Sequence, residues 1–228
     1  MLPRTPQRTL RLIAVAWFMA IGLPAHAEPS DLLADPSAWR LDPATSWRWE
    51  PVGDDGRAVL TLHTPGPPKH EPVRRPASLA IYEQASWASC NIDLEVKSLE
   101  PADLKGADAC IILGYRDDTH YTYVHLSNDA DGRTHNVIMK VAGDARRMIH
   151  TPARPEPRLG EGWHRVRITY DATGNLAVYM NDPHTPLMTA HDPDIASGKI
   201  GLGSFNDRAA FASMQITGQT AAPRPQTP

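Results

Sequence analysis

Two acids stand two positions apart at Asp93 and Glu95, with Asn91 preceding them in the same alternation. On a β-strand, residues i and i+2 share a face. Asp93 and Glu95 would then sit near the carboxyl separation of about 5–5.5 Å that a retaining glycosidase needs, and they are the candidate catalytic pair. A second set, Tyr121, Tyr123 and His125, alternates with Thr122, Val124 and Leu126. Phenol rings can stack on the C–H face of a sugar, while amides and carboxylates bind its hydroxyls. Arg116, Asn136 and Lys140 add cations and an amide that can pair with hydroxyl, uronate or sulfate groups. Tyrosine, histidine, arginine and an amide are also what β-elimination from a uronate draws on, with a base for the α proton and groups that neutralise the carboxylate.

These residues need strands to position them. Residues 110–141 read as three strands, 110–116, 120–127 and 135–141, joined by polar turns. Residues 89–99 alternate as cleanly, with Cys90, Ile92, Leu94 and Val96 against Asn91, Asp93, Glu95 and Lys97. A tight turn at 117–119 pairs Arg116 with Tyr121, Gly114 with Tyr123 and Ile112 with His125. Ile111, Leu113 and Tyr115 then share the core side with Thr122, Val124 and Leu126. For the next hairpin two registers compete. One places Asn136, Ile138 and Lys140 beside the tyrosines. The other buries Asn136 and Lys140, which is costly for an unpaired charge, so the first is expected. If 90–98 forms a hairpin with 110–116, Asp93 comes beside Gly114 and Glu95 beside Ile112. One face would then gather Asn91, Asp93, Glu95, Arg116, Tyr121, Tyr123, His125, Asn136 and Lys140 around Gly114, whose missing side chain leaves room for a ligand. The same hairpin would hold Cys90 and Cys110 about 20 Å apart at ~3.3 Å per residue, so no disulfide is expected.

The rest of the chain fits this frame. Further short strands are expected at 46–50, 57–63, 77–82, 145–150, 162–170, 175–181, 187–190, 199–205 and 211–217. The 22 prolines and 15 glycines punctuate them, and long helical patterns are missing. Trp47 and Trp49 share one face of their strand. Segments 65–76 and 152–162 are proline-rich and read as surface loops. The class is all-β, a two-sheet antiparallel sandwich. Residues 1–27 carry Arg4, Arg8 and Arg11, an apolar run at 12–23 and Ala25-His26-Ala27. That is the pattern of a cleaved export signal, too short to span a bilayer. Loss of three arginines and no acid takes the net charge from −3 to −6, which argues against a nucleic-acid partner. Expected are a signal at 1–27, a lead-in at 28–44, one domain at 45–218, a disordered tail at 219–228, a periplasmic or extracellular location and no membrane span after cleavage.

The stretch GWHRVRITYDATGNLAVYMND, followed by GKIGLGSFND and FASMQITG, resembles the C-terminal half of concanavalin A-like jelly rolls. Laminin-G-like and 3-keto-disaccharide hydrolase-like domains share this pattern, and IILGYRDDTHYTYVHLS is similar to their middle strands. The likeness covers about residues 45–218 and implies a jelly roll with its ligand on the concave sheet. The resembling glucanases carry an E-x-D-x-E strand, and Asn91-Ile92-Asp93-Leu94-Glu95 holds two of those three acids. The final-strand phrase Phe211-Ala212-Ser213-Met214 offers no acid for calcium. No cofactor and no metal are expected: Asn128-Asp129-Ala130-Asp131-Gly132 lacks the distal glutamate of an EF-hand, and His120, His125 and His135 fall on differing faces. Four functional classes follow from these residues. The expected one is an exported glycan-binding protein engaging its sugar on the concave sheet; the alternatives are a glycoside hydrolase, keto-disaccharide type included, or a uronate lyase using the same face, and a purely structural domain whose polar face is merely solvated.

Overall fold

A computed structural model describes residues 30–52, 57–131, 133–151 and 158–221. The expected export signal at 1–27, the interior of the second proline-rich loop and the end of the expected tail lie outside the described residues. Fourteen strands follow in order: β1 (Trp39–Asp42), β2 (Trp47–Val52), β3 (Arg57–Leu62), β4 (Ser78–Tyr82), β5 (Ser86–Ser98), β6 (Asp108–Asp117) and β7 (His120–Ser127). Then come β8 (Val137–Ala142), β9 (Ala145–Met148), β10 (His164–Tyr170), β11 (Asn175–Met180), β12 (Met188–His191), β13 (Lys199–Ser204) and β14 (Ala209–Ala221). Thirteen match the expected series within a few residues. The extra one, β1, lies in the expected lead-in, and β14 continues to Ala221. Among the described residues no helix is long and apolar enough to cross a membrane.

The strands form two antiparallel seven-stranded sheets. Sheet I runs β1-β4-β13-β6-β7-β8-β9, and sheet II runs β12-β11-β10-β5-β14-β3-β2. Alternation decides what faces inward. Ile92, Leu94 and Val96 of β5 pack with Ile111 and Leu113 of β6, Val124 and Leu126 of β7, and Ile168 of β10 in one apolar layer between the sheets. Trp47 joins that core at 6.3 Å from the Phe211 ring. Trp49 packs against the same cluster, so the two indoles share a face as expected.

Three details of strand pairing differ from expectation, and each moves candidate residues. First, β5 and β6 are not a hairpin. β5 pairs with β10 and β14, whereas β6 pairs with β13 and β7. The segment between β5 and β6 crosses from one sheet to the other, so their apolar sides meet across the core. Cys90 and Cys110 are free and buried, one in each sheet. Second, β6 and β7 pair at the turn as expected, Asp117 with His120, but the ladder then slips. Beyond the bulge Ile112 faces Tyr123 and Cys110 faces His125. Gly114 occupies the slip with φ +61°, a conformation that favours glycine. Tyr115 is thereby swung from the core side to the outer face, 5.8 Å from the Tyr121 ring.

Third, β7 and β8 take the register that buries Asn136 and Lys140: His125 pairs with Val137 and Thr122 with Lys140. The cost of an unpaired charge does not arise, because the charge is paired. Lys140 Nζ lies 2.5 Å from both Asp192 Oδ1 and Asp194 Oδ2, and Thr122 Oγ1 donates to Asp192 Oδ2. Asn136, at φ 51°, accepts from the Ser127 N–H at 3.1 Å. The partner acids come from the 192–195 segment, more than fifty residues downstream.

Candidate functional site

The expected patch is distributed over three places. Asn91, Asp93 and Glu95 face outward from sheet II. Tyr121, Tyr123 and His125 face outward from sheet I, on the opposite side of the sandwich. Lys140 is buried against Asp192, while the exposed Arg116 donates from Nη2 to the Asp194 carbonyl at 2.8 Å at the edge of that segment. Asn136 is buried in the turn before β8. Gly114 leaves no vacancy for a ligand. A Cβ there would come within 2.7 Å of the Ile195 carbonyl, and Gly198 packs directly on its backbone.

On sheet II the acids are neutralised where they stand. Asp93 Oδ1 accepts from Arg167 Nε at 2.7 Å. Glu95 pairs with Arg57 and accepts from Ser213 Oγ at 3.2 Å. They line an open groove of about 510 Å³ with Tyr179, Asn181 and Gln215.

Sheet I is different. Its outer face carries a second apolar cluster of Leu79, Ile81, Cys110, Ile112, Tyr115, Tyr121, Tyr123, Val137, Met139, Val141 and Phe205. No second sheet covers this side; the proline-rich segment between β3 and β4 does. Val73 packs on the cluster. Arg74 stands 5.4 Å above the Phe205 ring, and Lys69 Nζ ties the segment to Asp42 at 2.8 Å. Tyr121 and Tyr123 are 3% and 0% exposed, so they are no sugar-stacking platform as they stand. Burial pushes both phenols up from their usual range, the wrong direction for an elimination base.

The face stays open at its β7 C-terminal end. A cavity of about 280 Å³ is lined there by Arg74, Asp108, His125, His135, Arg146, Phe205 and Asp207, among others. Parity places Asp108 on the same face as Cys110, at the start of β6. Its Oδ1 accepts from Ser204 Oγ at 2.8 Å and from the Phe205 N–H at 3.0 Å. Its Oδ2 faces His125 Nε2 at 3.4 Å. Burial alone would raise the Asp108 carboxyl; His125 and those two donors hold it below its usual value. Asp207 goes the other way. Burial and the neighbouring Asp108 charge push it up to about 7. His125 Nδ1 lies 2.7 Å from the Thr134 carbonyl, which can only accept, so Nδ1 carries the proton. His135 stacks on His125 with ring centres 5.9 Å apart. Arg146 stands 5.4 Å over Phe205 and donates to the Tyr123 hydroxyl at 2.6 Å.

Of the expected residues, only His125 lines this cavity. Sequence reasoning missed Asp108, Arg74, Arg146, Phe205 and Asp207. Two signals pointed to them: Asp108 continues the Cys110–Ile112 alternation, and Phe205-Asn206-Asp207 closes the GKIGLGSFND phrase.

No family model and no curated protein matches the sequence. The fold is similar to that of a Bacillus subtilis protein of unknown function with a galectin-like fold. That match has TM-score 0.53 and 13% identity, covering 84% of this chain and 94% of that one. It is also similar to a xylan β-1,4-xylosidase from Bacillus halodurans C-125, with TM-score 0.53 and 16% identity over 86% of this chain. There the chain spans 41% of its relative. A β-1,3-glucanase from Mycobacterium marinum aligns at TM-score 0.49 and 12% identity, over 83% of this chain and 95% of that one. The architecture is thus a jelly roll of the concanavalin A-like, galectin-like type.

Proposed function

We propose that this protein binds the end of an acidic glycan in the sheet I cavity. One observation carries the reading. The cavity in an otherwise covered aromatic face is walled by the Phe205 ring with two guanidiniums, Arg74 and Arg146, each 5.4 Å from its centre. Guanidinium groups pair with carboxylate or sulfate in a planar, charge-assisted geometry. Imidazole and carboxyl groups on the opposite wall suit sugar hydroxyls. The volume, about 280 Å³, lies at the lower end of ligand pockets, which suits a terminal sugar rather than the middle of a chain. Binding is favoured over cleavage because Asp93 and Glu95, the expected acid pair, stand on the other sheet and each holds its own arginine. Export, the expectation raised by residues 1–27, would bring the chain to such glycans.

The test is retention of the purified protein on immobilised uronate-bearing, sulfated and neutral oligosaccharides at low and high salt. Salt-sensitive retention on the acidic sugars is expected. Retention on neutral sugars alone, or on none, would overturn the reading.

A further inference from the structure

We propose that Asp108, Cys110 and His125 form a binding site for a divalent transition-metal ion, zinc by the softness of its donors. One carboxylate oxygen, one sulfur and one ring nitrogen of these residues lie within 4.8 Å of one another, and all three side chains are buried. The set combines the N, S and O donors zinc takes.

Several independent details point to an ion. His125 is 4% exposed, and its Nε2 has no hydrogen-bond partner. An unpartnered buried polar atom is rare. In the neutral imidazole, with the proton held on Nδ1 by the Thr134 carbonyl at 2.7 Å, Nε2 presents a lone pair. That lone pair faces another acceptor, Asp108 Oδ2, at 3.4 Å. Two acceptors confronting one another in a buried site need a cation between them: a proton on Nε2 in the metal-free protein, which a metal ion would displace. The spacing is also that of a tetrahedral edge: zinc–nitrogen and zinc–oxygen bonds of about 2.0–2.2 Å span about 3.4 Å at the tetrahedral angle.

The outer ring of contacts is already in place. Metal-bound histidines and carboxylates are normally oriented by hydrogen bonds from their other atoms. Here Thr134 holds the far nitrogen of His125, while Ser204 and Phe205 hold the far oxygen of Asp108. Cys110 stands opposite His125 across the β6–β7 ladder, on the same face. Binding would release its thiol proton to solvent and leave a thiolate. The cavity reaches both Asp108 and His125, which supplies an entry path and a fourth position for water or a ligand oxygen. Three protein ligands with one open position is the pattern of a reactive rather than a purely structural zinc site.

The inference stands apart from the glycan reading, and its test uses no sugar. The purified protein, without a histidine tag, is stripped with a chelator under reductant and titrated with Co²⁺, then Zn²⁺. One equivalent should bind, with a thiolate-to-cobalt charge-transfer band that zinc abolishes. Cys110→Ser should lose that band, and His125→Gln should weaken binding at least tenfold. If either variant fails to fold, zinc X-ray absorption on the unaltered protein decides: one sulfur with nitrogen and oxygen neighbours is expected. Absence of saturable binding, a band unchanged in Cys110→Ser, or a zinc shell without sulfur would overturn the site.

Discussion

On the outer face of sheet II, Asp93 and Arg167 meet at 2.7 Å with side chains 45% and 48% exposed. On the outer face of sheet I, Cys110 and Tyr123 are fully buried although no other sheet lies against them. The same two-residue alternation built both faces. What separates them is the chain between β3 and β4, which lies over one and leaves the other bare. A bare polar face satisfies its charges by pairing them across neighbouring strands, as β5 and β10 do. A covered face becomes a second core, and charged groups gather at its borders, with Asp108, His125 and Asp207 at its mouth and Arg40 and Asp118 around Tyr115. Titratable groups gathered at a partly dry opening have chemical prospects that exposed ion pairs lack.

Substitutions on the two faces should differ in their effects. Tyr123→Ala should cost ~3–5 kcal/mol in denaturant unfolding, as for a buried aromatic. Tyr179→Ala on sheet II should stay within roughly 1 kcal/mol. Equal losses would mean the sheet I face is not a second core. Asp192→Ala should cost about 3 kcal/mol by leaving Lys140 buried beside only its partly exposed partner. Lys140→Met should be far milder, since it removes the charge along with its need for a partner. If Lys140→Met proved the worse of the two, the β7–β8 register would be in error. Gly114→Ala should cost ~1–3 kcal/mol through its positive φ, with Ile195 in the way of the added methyl. A neutral result would remove the bulge that turns Tyr115 outward. Smallest of all, Arg167→Ala should change stability by under ~1 kcal/mol, because exposed ion pairs contribute little.

The sequence made most of the strands legible, since alternation and turn residues are local. Both faces of β7 were assigned correctly from its own eight residues. What alternation does not encode is the neighbour. β5 looks the same whether it pairs with β6 or stands across the core from it, and that choice decided where Asp93 and Glu95 went. The β7–β8 register turned on whether Lys140 had a partner, and that partner, Asp192, is distant in sequence. The bulge depended on Gly114 meeting Ile195 and Gly198, contacts that no local pattern announces. The cover over Tyr121 and Tyr123 came from a segment readable as a loop, but its resting place was not readable. The cavity residues come from three strands and four connections, so only one of them, His125, surfaced among the candidates.

The most direct test of the glycan reading compares the two faces in one titration. A uronate-bearing oligosaccharide that the unaltered protein retains is titrated calorimetrically into Arg74→Ala and into the double variant Asp93→Asn/Glu95→Gln. Arg74 is exposed, so its removal should leave folding intact while deleting one charge-assisted contact, about tenfold in affinity. The sheet II double variant should bind as the unaltered protein does. Affinity lost in the double variant and kept in Arg74→Ala would place the ligand on the other face and contradict the account.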